Sequence, residues 1–312
     1  MGGMGGNNHN RRRQGSVLLV VLWLLVMLAL IAQGVAQRSR NHLALARTQI
    51  DLAQERLRAQ AGVLHGALLL LDSAHSLPPR HSLVGENAPV FFGAPVDIEI
   101  IDECGRIDLN TGYSSLITAL FSSLGQPAHA RRQANAVLDW RDPGNRSRPQ
   151  GAERDAYIIA GRLEGPRNGP FETVAELHQV LGLDTKTVTR LTPFLTVDCL
   201  NAGIDPMAAN APLLRLLPSQ GAPESLEIFL HKRDGVIRNG GHQLFSPPGL
   251  AKYLEPSDGH AYGIRAATRG GNHAVTWFAV VWPGDGSGQP LKFRAWGPDR
   301  ADIFATNDSD EK

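Results

Sequence analysis

Residues 14–37 read QGSVLLVVLWLLVMLALIAQGVAQ, a stretch without one charged side chain. Arg11-Arg12-Arg13 stands directly before it. About 20 apolar residues, rising 1.5 Å each as a helix, cross the roughly 30 Å hydrocarbon core of a bilayer. Ser16 to Val35 is therefore long enough to span. The arginines hold their end in the cytoplasm, so the chain beyond the apolar run is expected on the far side of the membrane.

Working outward from this run, Leu43, Ala46, Ile50, Ala53, Leu57, Ala61, Leu64, Leu68 and Leu71 recur at spacings of three or four. That period belongs to an amphipathic helix. No proline occurs before Pro78, so one helix of about 55 residues, about 80 Å, is expected from Ser16 to near Asp72. Pro78-Pro79 would end it, because proline lacks the N–H and clashes with the preceding turn. The N-terminal run has three readings: a plain signal anchor, a secretory signal cut after Gly34-Val35-Ala36, or a prepilin-type leader cut between Gly15 and Ser16. In the last case the apolar stretch is retained. A removable signal has no reason to continue as one helix into the mature domain, whereas a packed filament stem does.

The 312 residues are 42% hydrophobic and 20% charged, with a net charge of +1. This is globular composition without the basic excess of an electrostatic nucleic-acid binder. Val96-Asp-Ile-Glu-Ile-Ile-Asp102 alternates as a half-buried strand. Residues 113–139 read as helical, residues 141–154 as a loop, Glu172–Leu181 and Thr185–Leu191 as two short helices, and Leu195–Val197 as extended. Ala211–Leu217 is a short helical piece ended by Pro218. Tyr262–Thr268, Ala274–Trp282 and Leu291–Trp296 read as strands, joined by turns at Arg269–Asn272 and Pro283–Gly288 into an antiparallel meander. The tail 307–312 is polar. The expected class is α+β, with a helical block inserted between strand elements.

Several blocks, in this order, carry a resemblance: the Gly15/Ser16 junction with its apolar helix, Gly105-Arg-Ile-Asp-Leu-Asn-Thr111, Leu138-Asp-Trp-Arg-Asp142 and Gly151-Ala-Glu-Arg-Asp-Ala-Tyr157. Asn168-Gly-Pro-Phe171, Thr173-Val-Ala-Glu-Leu177 and Leu191-Thr-Pro-Phe-Leu-Thr-Val197 follow, with a weaker echo of the first block at Gly203-Ile-Asp-Pro-Met207. In these the chain resembles the protein K family of type II secretion systems, the large minor pseudopilins. The resemblance implies cleavage after Gly15 by a prepilin peptidase and N-methylation of Ser16. It further implies a single-pass inner-membrane anchor in contact with lipid and a periplasmic head. The partners implied are the minor pseudopilins I and J at a filament tip, with exported proteins as further contacts and no nucleic acid. Position five of the mature chain is Val20, where most pilins place Glu. A buried Glu in lipid is costly unless a partner waits above it, and a subunit at the tip has none.

The resulting layout is a leader at 1–15, a membrane segment at 16–36 and the rest of the stem at 37–77. A pseudopilin-like strand region follows at 78–104, then a helical insert of helix-hairpin-helix or SAM-like kind at 105–198. C-terminal antiparallel strands are expected over 199–306 and the tail over 307–312. Cys104 and Cys199 flank the insert and either bridge its base, as an oxidising compartment permits, or remain two buried thiols. Asp139, Asp142, Glu153 and Asp155 cluster around the loop. Related protein K chains carry calcium in this insert, and such carboxylates suit it. The competing reading is ion pairing with Arg141, Arg146, Arg148 and Arg154.

The turn Leu181-Gly-Leu-Asp184 lacks the second glycine of a DNA-binding hairpin. Residues 105–198 hold 11 Lys+Arg against 10 Asp+Glu, which is no phosphate funnel. No His-Glu-x-x-His or Gly-x-x-x-x-Gly-Lys motif occurs, so no enzymatic activity is expected. Trp140, Trp277, Trp282 and Trp296 read as core or strand-face residues. The alternatives to a pseudopilin are a membrane-anchored periplasmic adaptor and a DNA-uptake protein built on the same hairpin helices.

Overall fold

The computed structural model describes residues 10–72, 80–124, 127–238, 246–247, 249–257, 259, 261–269, 274–284 and 290–298. Pro78-Pro79, most of the two strand-connecting turns and the 307–312 tail lie outside these residues. The chain forms two compact units, Met1–Glu55 and Arg56–Lys312. Its first helix, α1 (Asn10–Asp72), begins in the first unit and ends in the second. In the first unit Leu18–Val35 carries no charged side chain and none of it is buried. Among the described residues it is the one helical stretch long and apolar enough to cross a membrane.

Among the described residues the second unit holds eight strands, β1 (Arg80–Leu83), β2 (Val90–Phe91), β3 (Ala94–Asp102), β4 (Ile107–Asp108), β5 (Leu195–Thr196), β6 (Tyr262–Thr268), β7 (Thr276–Pro283) and β8 (Leu291–Pro298). Its further helices are α2 (Ser114–Leu124), α3 (Pro127–Arg141), α4 (Arg154–Ile159), α5 (Thr185–Leu191), α6 (Ala211–Leu216) and α7 (Pro223–Arg238). The main sheet is antiparallel in the order β1-β3-β6-β7-β8, with β2 hairpinned onto β3. Its register places Ile98 opposite Ala266 and Ile100 opposite Ile264. The expected alternation along β3 is therefore realised, with Val96, Ile98 and Ile100 inward. These residues meet Val63, Ala67 and Leu70 of α1, and Ile264, Ala266, Ala279 and Val281 complete the core.

The face of α1 that meets the sheet is not the leucine stripe read from the sequence. Leu57, Leu64 and Leu68 are 58%, 49% and 62% exposed. The buried face is instead Ala59, Gly62, Val63, Gly66, Ala67 and Leu70. The helix carries two apolar stripes, and period alone does not say which one packs. The small residues win because they allow close approach. A Cβ added at Gly62 would sit 2.8 Å from both Ala266 Cβ and Val96 Cγ1, and one at Gly66 would sit 2.7 Å from Ile264 Cγ2.

The rest of the second unit is a helical module around the parallel pair β4–β5. Its core runs from Ile107 through Phe121, Trp140, Tyr157, Leu177 and Leu191 to Leu213, Phe229 and Tyr253. The module therefore does not stop at residue 198, and strands do not begin at 199. Residues 199–254 add α6 and α7 to the helical core, and the sheet resumes at Tyr262. Helix α7 was overlooked in the sequence although Leu226, Phe229, Leu230 and Arg233 bury one face at helical spacing. The stretch expected to be helical over 113–139 forms two helices, α2 and α3. Gly125 follows the first and Pro127 opens the second, the residues that close and start helices. The expected helix at 172–181 is a short 3-10 turn, Val174–Gln179.

Replacing Gly62 and Gly66 together by alanine tests the close contact. Helix propensity favours each alanine by about 1 kcal/mol, while overpacking costs about 1–3 kcal/mol per site. The double variant is expected to lose about 2 kcal/mol in urea unfolding. A gain in stability would show that the helix does not bear on the sheet at these positions.

Candidate functional site

The blocks that stood out in the sequence converge at the junction of sheet and helical module. β3 ends at Asp102, whose Oδ1 accepts the Cys104 N–H at 2.8 Å. Cys104 then forms a disulfide with Cys199, with Cα atoms 4.9 Å apart. Beside the bridge lies the buried ion pair of Arg106 with Glu103, at 2.9 Å, and Glu103 Oε2 also accepts the Thr196 hydroxyl at 2.8 Å. Asp108 Oδ1 accepts the N–H groups of Asn110 and Thr111, and its Oδ2 accepts the Leu200 N–H. The later echo repeats this turn, since Asp205 Oδ1 accepts from Met207 and Ala208 and its Oδ2 from Ser257. Gly105 packs so tightly on the second loop that a Cβ there would stand 2.3 Å from the Ala208 carbonyl oxygen.

The other blocks hold one another through side chain to backbone bonds. Asn110 exchanges two hydrogen bonds with the backbone of Phe171, at 3.0 and 2.7 Å. The Arg141 guanidinium donates to the carbonyls of Leu109 and Gly112. Glu176 accepts the N–H groups of Glu172 and Thr173 and pairs with Arg167 at 3.2 Å. Trp140 stacks on Phe171 within the core. Trp277 and Trp282 are half-buried on β7, and Trp296 is exposed on β8. At the hairpin turn Asp184 caps α5 by accepting the Thr187 N–H at 2.8 Å, and the Thr187 hydroxyl, then that N–H, hold its pKa down.

Two of the four carboxylates nominated for calcium, Asp139 and Asp142, are engaged by backbone N–H groups and by Arg148. Asp139 is fully buried but accepts the backbone N–H groups of Arg148 and Ala152. The Arg148 guanidinium lies 2.8 Å from Asp139 and 3.1 Å from Asp142, where it supplies the positive charge itself. Asp142 also accepts the Gly144 N–H, and Asp155 is exposed. Calcium needs six to eight oxygens around one point. Among the described residues no group of three or more His, Cys, Asp or Glu side chains could hold a metal ion. Glu153 is buried with neither carboxylate oxygen hydrogen-bonded, and burial, then Asp139 and Asp142, push its pKa up. Of the arginines named as alternative partners, Arg148 makes the pairing. Arg141 goes to the backbone instead.

The structure places Gly15, Ser16 and Val20 within α1, the last of these exposed. What the sequence reading missed is the acidic character of the junction. Asp102 is buried, and desolvation, opposed by the Cys104 N–H and reinforced by Asp205 and Glu103, lifts its pKa to about 7. The signal was present as Asp102-Glu-Cys104 and Ile204-Asp205, but nothing local says that these acids meet.

Two outcomes follow from this geometry. A carboxyl group with a raised folded pKa contributes stability below its unfolded value of 3.8 and loses it as pH climbs toward about 7. Unfolding free energy is therefore expected to fall by the order of a few kcal/mol across that window. Asp102→Asn, which keeps the Oδ1 acceptor, should flatten the decline, and an unchanged slope would assign it elsewhere. Arg148→Ala should cost about 2 kcal/mol by leaving Asp139 without its counter-charge.

Comparison with known proteins bears directly on these blocks. Residues 108–198 match the family model for the first domain of type II secretion system protein K. Protein K of Pectobacterium carotovorum subsp. carotovorum is 29% identical over 223 residues, covering 62% of this chain and 66% of that protein. Protein K of Dickeya chrysanthemi is 35% identical over 95 residues, covering 29% of this chain and 26% of its own length. This chain thus spans about two thirds of the first relative and about a quarter of the second. In fold it is similar to a chain in the crystal structure of the GspK-GspI-GspJ complex from enterotoxigenic Escherichia coli. The TM-score is 0.53 at 16% identity, over 81% of this chain and 99% of that one. In that domain and in both relatives the chain is similar to protein K of type II secretion systems, and in fold it is similar to the GspK chain.

Proposed function

We propose that this chain is a minor pseudopilin that starts and caps the pseudopilus of a type II secretion system, for export of proteins across the outer membrane. The observation that carries the reading is the state of α1. Its membrane-length segment Leu18–Val35 and its leucines at 43, 57, 64, 68 and 71 are exposed, while a different face serves the sheet. Bare apolar surface of this length requires lipid, other helices, or both. A prepilin peptidase cuts between Gly15 and Ser16 and methylates Ser16, leaving residues 16–312. The stem then rests in the inner membrane with the head in the periplasm, the side opposite Arg11-Arg12-Arg13.

The similar GspK chain is part of a complex with GspI and GspJ, which supports minor pseudopilins I and J as the partners here. Val20 fits the terminal place, because an unpaired Glu at this depth would have no subunit above to meet it. The helical module, built on a frame of backbone-directed side chains, serves as a docking body and not as an enzyme.

The mature N-terminus, measured by mass spectrometry on protein taken from membranes, is the test. N-methylated Ser16 is expected. A chain beginning at Gln37 would mean that a secretory signal had been removed, and an intact Met1 would leave a plain anchor. Either result would remove the filament reading.

A further inference from the structure

A cavity of about 940 Å³ opens where β1 meets α5, α6 and α7. Five arginines from these four elements line it: Arg80, Arg190, Arg215, Arg233 and Arg238. Asp234 is its one lining carboxylate among the described residues. Two of the five are anchored. Arg233 is buried, pairs with Asp234 at 3.1 Å and donates to the carbonyls of Pro206 and Ala209. Arg215 pairs with Glu227 at 2.8 Å. Arg80, Arg190 and Arg238 are exposed and have no ion-pair partner among the described residues.

The Arg80 and Arg233 charges are close enough to oppose one another. Burial lowers the Arg233 pKa first, Asp234 counters it, and the Arg80 charge lowers it further. Nor does the neighbouring sequence bring a remedy, since residues 73–79 and 239–245, which flank Arg80 and Arg238, contain no Asp or Glu. Between the arginines the wall is apolar, with Leu124, Phe194, Met207 and Ile237. The size falls in the range of roughly 300–1,000 Å³ typical of ligand sites.

We propose that this cavity is a binding site for an acidic segment of a partner polypeptide, one in which Asp or Glu alternates with apolar side chains. Guanidinium forks match carboxylates two-point to two-point. The apolar wall takes the intervening side chains, which a bare inorganic anion would leave uncovered. The anchored pair Arg233 and Arg215 sets the depth of the site, and the three unpaired arginines ring it as the recognition charges. This role is separate from the stem and does not depend on how the N-terminus is processed.

The test uses the full chain in non-ionic detergent and a fluorescein-labelled probe, Asp-Leu-Glu-Glu-Leu-Asp, beside its Asn/Gln counterpart. Fluorescence anisotropy should show saturable binding of the acidic probe alone, weakening as NaCl rises from about 0.05 to about 0.5 M. The double variant R190E/R238E reverses two exposed, unpaired charges and should unfold at the unsubstituted temperature while binding at least about tenfold more weakly. Equal binding of the neutral probe, or unchanged binding by the variant, would overturn the proposal. Displacement of the probe by inorganic phosphate as effectively as by unlabelled peptide would reassign the site to phosphate. Tighter probe binding by a chain lacking residues 301–312 would name the chain's own acidic end as the occupant and overturn the partner.

Discussion

The Cys104–Cys199 bridge is the point on which the head depends, because it ties the last turn of a sheet strand to the far end of a helical segment. The two cysteines are 95 residues apart in sequence. In simple chain-entropy models, closing a loop of that size removes about 4–5 kcal/mol of unfolded-state freedom. The bond is not isolated. The Cys104 carbonyl accepts the Asp205 N–H at 2.8 Å, and Asp108 accepts the Leu200 N–H next to Cys199. Two aspartate-capped turns therefore clasp the bridge from either side. The sheet and the helical core meet here through a covalent link and a set of hydrogen bonds, a construction that permits little relative motion between the two halves of the junction.

The polar residues of the recurring blocks have a structural use. Asn110, Arg141 and Asp139 spend their polar atoms on backbone groups of other blocks, and Glu176 on those at the start of its own. Loops without regular hydrogen bonding need such partners, since a buried unpaired N–H or carbonyl costs about 1–3 kcal/mol. In a module whose helices are mostly of two or three turns, these side chains do the work that longer helices and wider sheets do elsewhere. The same economy accounts for Arg148. Its guanidinium pairs with both Asp139 and Asp142 and so joins the end of α3 to the loop after it.

Local pattern carried the elements that are locally determined. The alternation of Val96–Asp102 and of the strand from Tyr262 became β3 and β6, and Thr185–Leu191 became α5 with Asp184 as its cap. The Gly-Gln-Pro step at 125–127 was a legible break that a longer apolar rhythm masked. Helix α7 lay within a polar, glycine-flanked stretch, so its buried face of Leu226, Phe229, Leu230 and Arg233 was diluted by lysine, arginine and glutamate on the others. The acidic junction was beyond any local rule. Asp102 and Asp205 are 103 positions apart in sequence, and only the folded topology makes them neighbours. The face choice of α1 was illegible for a related reason, because bulk marks a stripe as apolar while smallness marks it as able to approach.

That division of α1 into two faces is also the clearest link from sequence to assembly. A helix that serves one sheet needs one apolar stripe, and this helix has two. Gly62, Gly66, Ala59 and Ala67 satisfy the sheet at a distance no leucine would allow, whereas Leu57, Leu64, Leu68 and Leu71 remain in solvent. Four half-exposed leucines on one short stretch carry a hydration cost of about 25 cal/mol for every Å² left bare, which a monomer would have no reason to bear. If the head had been built for a soluble life, the sheet would gain more by taking the leucine face and leaving the small one to water. The reverse arrangement is what a stem requires when its bulky side must stay available to neighbours that arrive after folding.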